Sequence, residues 1–438
     1  MATANSDNPV AQILESVPEL TLLESSRKSV ANEFLERRLG FLAQGIRSSP
    51  YEPYRRGDKL RINSDFPAGL GRWLRQFPDG QRLGLLAIAL STIYVAEREM
   101  DLMLDIGYER LHESLNELEG FEFGHLDAPV GAANLVPYPV SEFPEFSHLV
   151  HRMGVSGTRD RNFRPYRTVD ELLRGTSNCL RMLADDAYFE EKKIELEQFI
   201  HSILNHAVLL VEDCSFSGKR LGKTLDRFTK LLDLLFSPHL SALRDKGHRP
   251  PTLLLLVICG TSAAKKALRH LGNGWIRYAS IFGGLFDDDN RSAERVPHNV
   301  RELCGITGFD EVSLHSKLAI AVDWFWDTHG KNYNIKTQVG STADFDVEEL
   351  RWGYGGKRAG GWTIVRHHNC PNNSLMPLWY PTVGMEYEGI VPLFSRNESH
   401  LDHSESATLS FEEAMGTAKA DSYGHLSRAL KSIFADLS

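Results

Sequence analysis

Cysteine is scarce and scattered in this 438-residue chain. Its five residues, Cys179, Cys214, Cys259, Cys304 and Cys370, include no CxxC pair, which removes the usual signature of a thiolate zinc site or a dithiol redox centre. A reducing cytoplasm suits them. Long apolar runs are missing too: "GLLAIALSTIYVA" at 84–96 and "LLLLVIC" at 253–259 fall short of the roughly 20 residues that span a bilayer. The N-terminal "MATANSDNPV" has neither the basic nor the apolar region of a secretory signal. Positive charge is not in excess, because the net charge of −9 leaves no overall footprint for nucleic acid. Only the cluster Arg159, Arg161, Arg164 and Arg167 offers local basic character, either as a solvated loop or as a loop closing over diphosphate or nucleic acid. There is no internal repeat and no low-complexity tract. The expectation is a soluble cytoplasmic protein without membrane contact.

What is present suffices for a large core. Hydrophobic residues make up 42% of the chain and charged residues 24%, so two or three structural units are expected. From Val10 to Glu119 apolar residues recur at helical spacing. Within it, "GRWLRQFPDGQRLGLLAIALSTIYVAEREMDLMLDIGYERLHESL" reads as a short helix, a Pro78-Asp79-Gly80 turn, and one or two long helices, with Trp73, Leu74, Phe77, Leu85 and Leu86 on the apolar face. After Gly120 the pattern changes to apolar strands separated by helices. "ANLVPYPVSEF", "AVLLV" at 207–211 and "TLLLLVIC" lack in–out alternation, which suits a largely parallel sheet covered on both faces. A third region holds "GGWTIVRHHNCPNNSLMPLWYPT", a strand and a polar loop, then "VPLFSR" and an amphipathic helix over 420–437.

The chemistry concentrates in "HAVLLVEDCSFSGKRLGKTL", residues 206–225. Here a buried strand ends in Glu212 and Asp213, and a small-residue turn opens a helix. At the carboxyl end of a parallel strand such a turn gathers backbone N–H groups at a helix N-terminus, where an anion is favoured. Ser215, Phe216, Ser217, Gly218 and Lys219 would form a phosphate cradle, and Glu212 and Asp213 would accept hydrogen bonds from sugar hydroxyls or hold Mg²⁺. The rival reading, a P-loop, has the spacing against it: Gly218 and Gly222 enclose three residues where a Walker A loop needs four, and no Gly lies five before Gly218. A purely structural strand-to-helix turn remains the plain alternative.

This arrangement resembles the signature of type I phosphoribosyltransferases, in which an acidic pair contacts the ribose hydroxyls of 5-phosphoribosyl diphosphate and the following loop binds its 5-phosphate. Glu212, Asp213, Gly218 and Lys219 match the purine-salvage form of the motif. Phe216 stands where that branch often has an acidic residue assisting proton transfer, and Arg220 where it has Thr. With "RWLRQF", "WGYGGKRAGGWTIVRHHNCPNNSLMPLWY" and "PLFSR", the motifs cover most of residues 70–396 and resemble the phosphoribosyltransferase-like proteins of prokaryotic conflict and anti-phage gene clusters.

The resemblance implies an α/β fold: a type I phosphoribosyltransferase-like, largely parallel sheet over 131–340, an N-terminal helical region over 1–130, and a C-terminal α/β extension over 341–438. It implies a defence effector that binds 5-phosphoribosyl diphosphate or a related nucleotide with Mg²⁺ and transfers phosphoribose to an acceptor. The alternative is a catalytically inactive module that senses nucleotide or nucleic acid, or a scaffold for a partner defence protein such as a reverse transcriptase or nuclease. Further candidates are Arg220, Asn372 and Asn373 as ligand contacts, with Trp379 as a stacking surface near them. The acidic run "FDDDN" at 286–290 is read as a solvated loop before an ion site, and adjacent His367 and His368 on one strand point to opposite faces, against a shared metal.

Overall fold

A computed structural model describes residues 8–51, 65–117, 135–140, 146, 149, 169, 200, 207–245, 251–270, 274–329, 351–353, 360–367, 370–371, 374–380 and 391–394. By contacts the chain forms two compact units, one of residues 1–100 with 286–401 and one of 101–285 with 402–438. The fold is α/β, with parallel strands and many helices. No described helix is long and apolar enough to cross a membrane.

The first unit begins with α1 (Pro9–Ser16), α2 (Pro18–Thr21) and α3 (Ser25–Ser48), followed by α4 (Phe66–Leu74) and α5 (Asp79–Leu90). Helix starts are written locally: Asn8 accepts from the N–H of Val10 and Ala11, Asp65 from that of Ala68, and Pro9 and Pro67 sit in first turns where they forfeit no helical bond. The apolar stretch 84–96 does not continue as a helix. It ends at Ser91, and Ile93–Val95 form strand β1. β-Branched Thr92, Ile93 and Val95 suit extended backbone, and a partner decides the matter: β1 pairs in parallel with β6 (Ile364–Arg366), Ile93 opposite Ile364. Arg38 secures the break by donating to the carbonyls of Leu90 and Thr92 at 2.7 and 2.8 Å. Burial brings its pKa down to about 10, which leaves it charged at neutral pH.

The remaining helices of this unit include α10 (Glu302–Thr307), α11 (Glu311–Thr328), which packs along α5, and α12 (Met376–Trp379). Trp73, Phe77, Phe325, Trp379, Tyr380 and Phe394 share its core. Each large side chain so buried contributes roughly 1.5–3 kcal/mol.

The second unit carries a four-stranded sheet in the order β2 (Leu135–Pro139), β3 (Ala207–Ser215), β4 (Thr252–Thr261), β5 (Arg277–Phe286). β2 and β4 both run parallel to β3, with Val208 opposite Leu253 and Ser215 opposite Gly260. Arg277 N–H donates to Pro251 O, so β5 starts beside the start of β4. α7 (Lys219–Phe236) covers one face, where Val208, Leu210, Leu255 and Val257 pack with Leu221, Leu225 and Phe228. Helices α8 (Leu240–Asp245) and α9 (Ser262–Ala267) follow β3–α7 and β4. The other face receives α6 (Glu97–Glu117): Gly107 touches the region of Leu256 and Gly283, and Arg110 donates to the carbonyls of Phe282 and Gly283. The sheet is thus covered on both sides, which explains the unbroken apolar runs of β3 through Val211 and of β4.

Candidate functional site

β3 is apolar through Val211 because both its faces are buried, and it changes character at Glu212. Consecutive strand residues face opposite sides. Glu212 follows Val208 and Leu210 onto the α7 side, where it forms an ion pair with Arg220, and Asp213 follows Leu209 and Val211 onto the other. Glu212 is 2% exposed and Asp213 9%, so neither carboxylate is an ordinary surface charge. As candidate Mg²⁺ ligands the two carboxylates therefore stand on opposite sides of the end of β3. Among the described residues no three His, Cys, Asp or Glu side chains converge on a metal position.

Beyond Ser215 the chain turns into α7. Gly218 takes φ +71°, ψ −8°, a left-handed conformation that costs an L side chain but not glycine, and stands at the N-cap. A Cβ there would also lie 3.0 Å from the Cβ of Ala267. No side chain caps this helix, while Ser217 Oγ accepts from Lys219 N at 3.3 Å. The first N–H groups of a helix have no carbonyl partner within it, so the turn presents donors and the positive end of an 18-residue helix to one point. Lys219 is exposed beside it. Phe216 serves differently: its ring is buried at 4% exposure and its carbonyl accepts from Thr261 Oγ1 at 2.6 Å, leaving only its backbone for an anion.

Thr261 was not singled out by sequence reasoning. It ends β4 beside the turn, accepts from Ala264 N at 3.1 Å as the cap of α9, and ties the cradle to the neighbouring strand. The signal was the "GTS" at 260–262: small polar residues closing an apolar parallel strand fall at the same sheet edge as those closing its neighbour. Cys259 Sγ adds a contact to Asp213 O at 3.3 Å.

Strand, buried acidic pair, left-handed glycine and helix N-terminus thus meet at the carboxyl edge of a parallel sheet, and the PRTase-CE family model matches residues 70–396. The chain belongs to the PRTase-CE family. It is a phosphoribosyltransferase-like protein. No curated protein and no solved structure matches it at a significant level.

The matched span of this PRTase-CE chain runs from α4 to Phe394 and beyond, across both units. "VPYPV" at 136–140 forms most of β2, and Val140 N donates to Val211 O, so the chain leaves β2 next to Glu212. Asn372, Asn373, His368 and Arg159 to Arg167 lie outside the described residues. Trp379 is no stacking surface: it is 1% exposed and its indole N–H donates to Ser374 O, because the apolar "LMPLW" folds inward as α12. In "FDDDN" Asp287 caps the next turn by accepting from Asp289 N, and Asp289 pairs with Arg295, as a solvated loop does. His367 follows β6 and is buried.

Proposed function

We propose that this protein binds 5-phosphoribosyl diphosphate, or a nucleotide of similar shape, at the β3–α7 turn, and acts as an effector in bacterial anti-phage defence. One observation carries the reading: in a PRTase-CE chain, a buried Glu-Asp pair leads directly into a left-handed glycine that opens a helix. Residues 215–219 would take the 5-phosphate on backbone N–H groups, with Lys219 adding charge. Glu212 from the α7 side and Asp213 from the other would flank a ribose seated off the carboxyl end of β3, orient it and stabilise positive charge growing at the anomeric carbon. In the reaction the bond from that carbon to diphosphate breaks as the bond to an acceptor forms, and the acceptor's proton passes to a base outside position 216. Mg²⁺, when bound with the donor, supplies charge neutralisation for the departing diphosphate.

Two observations support a second reading, a module that senses the ligand without transfer: Phe216 is packed into the core, and Glu212 is held by Arg220. Diphosphate release separates the two. A transferase releases diphosphate from the donor with Mg²⁺ when supplied with a nucleophilic acceptor pool, and Glu212→Gln/Asp213→Asn lowers the rate by about 100-fold or more. Binding without any release supports sensing. A scaffold would co-purify with a co-expressed partner even as Asp213→Asn.

A further inference from the structure

Glu212 and Arg220 form an unequal pair. The carboxylate side chain is 3% exposed, whereas the arginine side chain is 58% exposed. Arg220 is the second residue of α7, at the helix end where a cation is disfavoured. Its Nη2 nevertheless donates to Glu212 Oε1, so the carboxylate compensates that cost and draws the guanidinium toward the sheet. A guanidinium is a rigid fork of five donors, able to hold a carboxylate with one edge and meet a phosphate with another. Gly218 and Lys219, the two residues before it, open the same helix.

We infer that Arg220 is a positioning and specificity residue for phosphorylated sugars: it fixes the buried Glu212 carboxylate and presents its exposed edge to a phosphate oxygen of a ligand seated at the start of α7. The inference rests on the proposed pocket and deepens it. In this arrangement sugar and phosphate recognition are coupled through one side chain, since the group that meets the phosphate is the group that holds the ribose-facing carboxylate. A threonine at this position reaches neither partner in that way. Lysine keeps the charge but has no planar fork, so Arg220→Lys separates charge from geometry.

The test uses the full chain as wild type, Arg220→Lys, Arg220→Gln, Glu212→Gln and the double Arg220→Gln/Glu212→Gln, read by thermal unfolding and by titration with 5-phosphoribosyl diphosphate and ribose 5-phosphate. Arg220→Gln is expected to lower the melting temperature by roughly 3–8 °C, and by clearly less when Glu212 is already Gln. It is also expected to weaken both ligands about tenfold or more, with Arg220→Lys recovering part of the loss. Additive melting shifts overturn the positioning role. Unchanged affinity of Arg220→Gln for both ligands overturns the phosphate contact. A wild type that binds neither ligand overturns the pocket reading, and with it that contact, while the melting cycle still decides whether Arg220 positions Glu212.

Discussion

Gly218 and Thr261 show how much of this site depends on backbone placed by single residues. Gly218→Ala forces a side chain into a left-handed conformation and against Ala267, and is expected to cost about 1 kcal/mol or more and to weaken any phosphate ligand. Denaturant unfolding and a titration with ribose 5-phosphate check both parts. Thr261→Val keeps the shape but removes the hydrogen bond to Phe216 O and the cap of α9. A loss of about 1–2 kcal/mol is expected, read in the same unfolding experiment. At this scale the sequence was legible where residue type and spacing mark the backbone, as in the end of a buried strand at Glu212 and Asp213 and the turn at Gly218. It was illegible where the partner is distant in the chain: nothing local ties Thr261 to Phe216, or sends Arg220 back across eight residues to Glu212.

Among the elements, α5 and β1 teach the clearest lesson. The run 84–96 is apolar enough to continue as a helix, and the pattern alone favours that. The chain leaves the helix because β6 offers a parallel partner and Arg38 takes the freed carbonyls, and both lie far away in sequence. Periodicity located α4, α5 and α6 by their apolar faces, although Asp79 and Gly80, expected in a turn, are the first residues of α5, and it located β3 and β4 because continuous apolar runs between helices suit a sheet buried on both sides.

The end of α11 carries a dependence on pH. His329 lies between the rings of Trp324 and Phe325, and burial holds its pKa below the ordinary 6.5. A depressed histidine favours the neutral folded form, so its contribution is complete above the unfolded pKa and is lost as pH falls through the folded one. Melting temperature should therefore decline on acidification below pH 6.5, and His329→Asn should make that decline shallower. An unchanged slope in the variant would remove His329 from the account.

On the scale of the whole chain, the second unit depends on close approach of α6 to the sheet. At Gly283 a Cβ would lie 2.0 Å from Met103 O and 2.7 Å from Ile258 O, contacts that backbone cannot accommodate without moving. Gly283→Ala is expected to destabilise by more than about 3 kcal/mol, visible as a fall in soluble yield and in melting temperature. Such long-range packing, like the pairing of β1 with β6 across some 270 residues, leaves no local trace in sequence and explains why units assembled from separated segments are hard to foresee. The family is different, because several motifs spread over 70–396 had to agree at once.

The central claim is that the β3–α7 turn holds a phosphoribosyl donor. Calorimetric titration of 5-phosphoribosyl diphosphate with Mg²⁺ into the wild type and into Glu212→Gln/Asp213→Asn tests it most directly. Saturable binding by the wild type, weakened at least about tenfold in the variant, is the predicted result. Equal binding by both proteins, or none by the wild type, would contradict the assignment of the donor to this turn.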